Sequence, residues 1–257
     1  MGDFGTNWRA CAAGTRGVTP DDGRMPWGRL GTALLDVLIG DGCAGCGLPG
    51  PPLCEACLAR MPAIGARHCA RCGHPWPAPR PACPQCIAGV GHARQALRYE
   101  PPVPEAVRAL KDSRRRAIAG ALAAVICRHL TPPPPGAVLV PVPLAPGRLA
   151  ERGFNQAALI ARALGAGWGM PVSDCLARAD GGAAQRGAGA AARRAQVAGA
   201  FRALHEVPLH AVLVDDVVTT GATLTAAARA LRAAGSARVG AVSLARVVLA
   251  GGGTRVG

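Results

Sequence analysis

Hydrophobic positions in the second half of the chain fall into two alternating patterns. The runs Ala137–Val142, Ala211–Val214 and Val239–Val248 are almost unbroken, with no polar face. A parallel strand buried on both sides reads this way. Helical spacing follows two of them, over Ala157–Leu164 and over Leu224–Ala234, the second stopping at Gly235. Strand then helix, repeated, predicts an α/β fold with a parallel sheet. Upstream, Leu30, Leu34, Leu35 and Leu38 space out a short amphipathic helix over Gly28–Ile39. Val103–Leu130 reads as one long helix or a broken pair, ended by Pro132–Pro135. Residues 1–27 show no pattern and read as a tail, with Met25 as a second candidate start. Gly251–Gly257 reads as a frayed end.

Between the first helix and the α/β part, cysteine replaces hydrophobic patterning. Eight of eleven cysteines form four C-x₂-C pairs: Cys43/Cys46, Cys54/Cys57, Cys69/Cys72 and Cys83/Cys86. Each such turn presents two thiolates to one ion, and two turns complete a tetrahedral site. The short spacers between the first two pairs and between the last two predict consecutive ribbons and two structural Zn²⁺ ions. Gly47 and Gly73 sit where each leading knuckle needs a left-handed turn. Interleaved pairing, or His68 or His74 standing in for a thiolate, are the other arrangements this spacing admits. The chain thus divides into the tail, a helix plus double ribbon over 28–92, and an α/β domain over 93–250.

The stretch Ala211–Leu224 carries the most chemistry. Its apolar run ends on Asp215 and Asp216, followed by Thr219, Thr220, Gly221, Ala222 and Thr223, then helix. Backbone N–H groups at a helix N-terminus and threonine hydroxyls suit a phosphate. Paired carboxylates suit vicinal sugar hydroxyls or a share in holding Mg²⁺. The plainer reading is a βα turn whose acids cap the next helix. A second loop, after Ala137–Val142, carries Arg148 and Arg152; ligands in open α/β sheets bind at such strand ends. Residues 178–202 are Gly-rich and hold Arg178, Arg186, Arg193, Arg194 and Arg202 against Asp180, within a segment bounded as 178–206. That composition predicts a mobile lid closing on an anion, or else an ordinary surface loop.

Composition narrows the picture. With 50% apolar and only 3% aromatic residues, the core must be Ala, Val and Leu. The net charge of +14 rests on arginine, with Lys111 the single lysine against 15 acids. Such a balance suits nucleotides, pyrophosphate or nucleic acid; a solvated, arginine-preferring surface explains it equally well. The longest apolar stretch, Ala117–Cys127, falls well short of the roughly 20 residues a membrane helix needs. The first 27 residues lack the apolar segment of a secretory signal. A soluble cytoplasmic protein without membrane insertion is expected, where cysteines argue for metal before disulfides.

The stretch 211–224 resembles the phosphoribosyl-pyrophosphate (PRPP) motif of type I phosphoribosyltransferases. Together with the double ribbon, Leu110-Lys111, Val140-Pro-Val-Pro143, Arg152-Gly-Phe-Asn-Gln156, Gln185, Arg193/Arg194 and Ala200-Phe201, it is similar to the ComF family. One departure is Gln196, where the family pattern has Asn. The resemblance implies a type I phosphoribosyltransferase fold: a parallel sheet flanked by helices, with a small hood. It implies displacement at ribose C1 with loss of pyrophosphate. Asp215 and Asp216 would fix the ribose, with either as an optional general base, and Thr219–Thr223 would grip the 5′-phosphate. Arg148, Arg152 and Mg²⁺ would stabilise the leaving pyrophosphate. Lys111 would reach the pyrophosphate, or else be an ordinary surface lysine, and Arg193 and Arg194 would belong to the lid. The family's link to natural competence implies single-stranded DNA and the DNA-uptake machinery as partners. A non-catalytic PRPP or nucleotide sensor, and a single-stranded-DNA-binding factor, are the competing readings. A zinc-held scaffold with a vestigial site is the third.

Overall fold

A computed structural model describes residues 42–75, 83–112, 115–179 and 200–248. The expected helix at 28–39, the prolines at 77–82, Arg114, and the lid residues Gln185, Arg186, Arg193, Arg194 and Gln196 lie outside the described residues, as do both chain ends.

Four parallel strands form the central sheet: β1 (His92–Arg98), β2 (Val138–Pro141), β5 (His210–Val218) and β6 (Arg238–Arg246), in the order β1-β6-β5-β2. Two short strands, β3 (Leu176–Arg178) and β4 (Phe201–Ala203), pair antiparallel in a separate ribbon. They lie at the two ends of the Gly-rich segment expected to be the lid. The helices are α1 (Glu55–Arg60), α2 (Val103–Leu110), α3 (Ile118–His129), α4 (Pro146–Arg152), α5 (Gln156–Trp168) and α6 (Ala222–Ala233). The stretch 103–130 is therefore a broken pair.

Successive side chains of a strand point to opposite faces, so a sheet covered on both sides feeds two cores. Leu139, Val212, Val214, Val242 and Leu244 face one core with α2, α3 and α5. Val140, Ala211, Leu213, Val239 and Ala241 face the other with α6, β3 and β4. The first cysteine ribbon joins the former core through Cys43, Leu53, Cys57 and Met61. The second ribbon joins the latter through Ile87 and Val90. The two ribbons thus sit on opposite faces of the sheet, with the chain crossing its β1 edge between them.

That crossing covers an exposed edge. Ala63 bridges Leu97 antiparallel, Ile64 N–H donates to Ala96 O (3.1 Å), and Arg98 N–H donates to Pro62 O (2.7 Å). At the opposite edge Leu139 N–H donates to Pro171 O (2.9 Å) and Ser173 N–H to Leu139 O (2.9 Å). Neither edge strand offers a long unpaired ladder to another chain.

The expectation that β5 ends on the acidic pair is corrected. Pairing with β6 continues through Asp215–Ser243 and Val217–Ala245 to Val218–Arg246, so both carboxylates lie within the strand. Burial of Val218 against the α6 face extends the apolar run past the acids. The loop carrying Arg148 and Arg152 is corrected likewise. It is a seven-residue helix with Pro146 in its first turn, where the missing N–H costs nothing, and Gly153 (φ 73°) closing it.

The block Arg152-Gly-Phe-Asn-Gln156 is a joint between α4 and α5. Asn155 caps α5 by accepting from Ala157 N–H (3.0 Å), while its amide donates to Val142 O at the end of β2 (3.0 Å). Arg152 donates to Gln156 Oε1 (2.6 Å), and the Arg116 guanidinium lies 4.9 Å from the Phe154 ring centre. Asn155 thus ties the start of α5 to the strand end, and the Arg152–Gln156 bond ties the end of α4 to that start.

Candidate active site and metal centres

The carboxyl ends of β2 and β5 define a cleft. Lys111 and Asp112 from the end of α2, with Arg148, Glu151 and Arg152 from α4, line a cavity of about 300 Å³. The three bases come from two helices well separated in sequence, and the two acids were not foreseen. Lys111 also ties the cleft to β5, because its Nζ lies 3.1 Å from Asp216 Oδ2. Asp216 is nearly buried, with Oδ1 accepting from Val217 N–H (3.0 Å), while Asp215 Oδ1 accepts from Asp216 N–H (2.9 Å). Lys111, Arg148, Arg152 and Asp216 are thus gathered, with Asp215 adjoining.

Thr219 and Thr220 are exposed and lead from β5 into α6. Gly221 caps that helix with φ 78°, and the Thr220 hydroxyl oxygen lies 3.4 Å from Ala222 N. The left-handed turn brings the N-terminus of α6 directly after the acidic strand, so its unpaired N–H groups face the strand end.

Burial pushes the Asp215 carboxyl well above the usual carboxylate range, although part of the residue reaches solvent. The Asp216 charge adds to that push, and Lys111 opposes it. A carboxyl raised on folding favours the fold at acid pH, where it is protonated. That contribution is lost as pH rises from the unfolded value of about 3.9 through the raised folded value. Asp215→Asn is therefore expected to raise the melting temperature at pH 7 and to leave it unchanged near pH 3. Thermal scans at the two pH values check this, and an equal shift at both would refute it.

Each cysteine ribbon assembles one compact set. The sulfurs of Cys43, Cys46, Cys54 and Cys57, and those of Cys69, Cys72, Cys83 and Cys86, lie within 4.8 Å of one another. Pairing is consecutive, with His68 and His74 outside both sets. Sulfur separations are 3.8 Å for Cys46–Cys54, 3.8 Å for Cys69–Cys86 and 3.7 Å for Cys72–Cys83. Tetrahedral metal–sulfur bonds of about 2.3 Å require an edge of roughly 3.8 Å. Gly47 (φ 76°) and Gly73 (φ 71°) make the left-handed knuckle turns. Burial pushes the Cys57 thiol up to about 12, with hydrogen bonding to Cys43 adding to it. Burial weighs on Cys43 too, but N–H groups of Cys54, Cys46 and Gly45 outweigh it and hold that thiol at about 6. The second set repeats the split: burial lifts Cys72 to about 12, while N–H groups of Cys72 and Arg71 bring Cys69 to about 7 despite burial. Four thiols this close resist full ionisation alone, and a bound dication is what lets all four become thiolates.

Fold and site together define a protein with a phosphoribosyl transferase domain, and the family model of that description matches residues 149–251. The chain is 34% identical over 212 residues to the DNA utilization protein YhgH of Salmonella typhi, covering 76% of this chain and 91% of that protein. It is 32% identical over 231 residues to YhgH of Escherichia coli K12, covering 77% and 98%. Competence protein F of Haemophilus influenzae is 36% identical over 113 residues, 42% of this chain and 49% of that protein. The chain belongs to the ComF family of phosphoribosyl transferase-domain proteins with an N-terminal double ribbon. Among the described residues, no helix is long and apolar enough to cross a membrane.

Proposed function

We propose that this protein binds PRPP and transfers its phosphoribosyl group to an acceptor in DNA handling during uptake, with Zn²⁺ in both Cys₄ sets. The observation that carries the reading is the single cleft in which Lys111, Arg148 and Arg152 converge, joined to Asp216 by the 3.1 Å ion pair. Three cations beside a carboxylate pair suit a pyrophosphate next to a ribose. The Thr219–Thr223 loop and the N-terminus of α6 receive the 5′-phosphate through N–H and hydroxyl donors. Asp215 and Asp216 accept hydrogen bonds from the ribose hydroxyls, and Lys111 swings from Asp216 onto the pyrophosphate. Arg148 and Arg152 point charge at the leaving oxygens, where negative charge grows as the C1–O bond breaks. Among the described residues acidic groups do not form a cation cage of their own. One or two carboxylates plus substrate phosphates is the usual Mg²⁺ environment, so the ion would arrive with PRPP. It would supply neutralisation of pyrophosphate charge. The arginines of the 178–206 segment would close over the bound anion.

The relatives' names, DNA utilization protein and competence protein, together with the net charge of +14, support single-stranded DNA and the uptake machinery as partners. Paired C-x₂-C ribbons favour the cytoplasm, where thiols stay reduced. Isothermal titration with PRPP and Mg²⁺ tests the core of this reading: a saturable heat is expected, and a flat titration removes it. Pyrophosphate release on adding amines, bases or oligonucleotides separates transfer from sensing. DNA affinity that falls steeply with salt supports the DNA role.

A further inference from the structure

The second cysteine ribbon reaches the phosphate loop directly. Ile87 follows Cys86 and packs on Gly221, where an added Cβ would lie 2.7 Å from Ile87 Cγ1. Gly89 O accepts from the Arg232 side chain, Nε, of the last turn of α6 (2.9 Å), so the segment 87–89 contacts both the start of the helix and a side chain from its end. From the other side comes Arg246, the last residue of β6 and 0% exposed. Its guanidinium donates to Cys72 O (3.1 Å) and Gln85 O (3.0 Å), one carbonyl inside each knuckle. The neighbouring Val247 N–H donates to Val218 O at the end of β5 (2.9 Å).

Among the described residues Arg246 forms no ion pair, and its Nε has no hydrogen-bond partner. A fully buried guanidinium without a carboxylate needs another source of negative charge. Four thiolates around a dication leave two negative charges in excess, and that centre sits where the two gripped carbonyls lie. Loading the second set thus stabilises the conformation in which Arg246 and Ile87 hold the strand end and the loop.

We propose that the second Cys₄ set is a metal-dependent clamp on the Thr219–Thr223 loop, with Ile87 and Arg246 as the positioning residues that carry its occupancy to the loop. The consequence for ligand rests on the PRPP reading above; the clamp itself does not. The full chain is compared as purified and as Cys72→Ser, Ile87→Ala and Arg246→Met. The readouts are amide exchange, metal content and PRPP titration with Mg²⁺. Thr225, whose N–H donates to Gly221 O (2.9 Å), reports the loop, and Leu122 in α3 reports the distant core.

In Ile87→Ala both metals are expected to stay, while Thr225 exchange accelerates about tenfold beyond any change at Leu122. PRPP affinity is expected to fall by a similar factor. Cys72→Ser, which disrupts the second set alone, shows the same local change, and Arg246→Met releases its second metal faster than wild type. Equal acceleration at Thr225 and Leu122, or none at Thr225, overturns the clamp. Should Ile87→Ala not fold, Ile87→Val is read in the same way with a smaller effect. Wild type that binds no PRPP, with Thr225 still responding to Ile87, removes the functional reading and leaves the clamp standing.

Discussion

Replacing Arg148 and Arg152 together with alanine is expected to weaken PRPP binding by about two to four orders of magnitude. A hydrogen bond to a charged group contributes about 1.5–3 kcal/mol, so two to a pyrophosphate give roughly 3–6 kcal/mol, and each 1.4 kcal/mol is tenfold. Both arginines line the same cleft, on one short helix held by the Asn155 joint. The two differ in what else they do. Arg148 is exposed, so Arg148→Ala alone should leave the melting temperature in place and cost about one to two orders of magnitude in affinity. Arg152 also satisfies the buried Gln156, and its loss leaves an orphaned acceptor that costs about 1–3 kcal/mol of stability. Titrations with inorganic pyrophosphate and with ribose 5-phosphate separate the subsites. Pyrophosphate affinity should fall in step with PRPP while ribose 5-phosphate affinity holds. A parallel loss for both ligands would sink the assignment of these arginines to the pyrophosphate.

The second large effect concerns metal. Cys72→Ser is expected to halve the metal content and to lower the melting temperature by more than about 10 °C. Structural zinc contributes apparent binding energies of about 10–16 kcal/mol in small modules, and a chain of this size loses roughly 2–4 °C per kcal/mol. Cys72 is the most demanding position of its set. It is 1% exposed, its thiol needs a cation to ionise, and its carbonyl anchors the buried Arg246. Losing the ion therefore leaves a buried guanidinium without its counter-charge, on top of the lost ligand bonds. Metal analysis and calorimetry together check this. A metal-free protein with the wild-type melting temperature would show that the thiols hold themselves together without an ion.

The sequence made some elements plain because their environment leaves one solution. Strands β2, β5 and β6 are buried on both faces, so their apolar runs stand out. The C-x₂-C pairs were legible because thiolate pairs at that spacing have few other uses. Strand β1 was missed, since His92, Arg94, Gln95 and Arg98 break its apolar pattern. It is an edge strand whose outer side the ribbons cover, and its polar residues reflect that contact. Helix α4 was hidden by Pro146 and Gly147, which read locally as loop although proline is at home in a first turn. Strands β3 and β4 are three residues each, too short to show a period. At the site, the residue types were readable locally, while their meeting was expected only through the family resemblance. Lys111 and Asp216 meet only because α2 ends beside β5. Arg246 and Cys72 stand 174 positions apart, and nothing local in an apolar strand announces that its last arginine is buried. The one available signal was a lone charge within an otherwise hydrophobic run.

The chain segment around Ala63 that crosses the β1 edge has a practical consequence for how this molecule can be divided. In sequence, the cysteine part and the transferase part look separable at about residue 92. In three dimensions, the segment 62–64 closes the outer hydrogen-bond ladder of the sheet, and the two ribbons cover opposite faces. A fragment cut at that point would present a bare strand and two stripped apolar faces, the ingredients of sheet-to-sheet association. The ribbons therefore act as the lining of the domain that follows them, made first on the ribosome and waiting when β1 emerges.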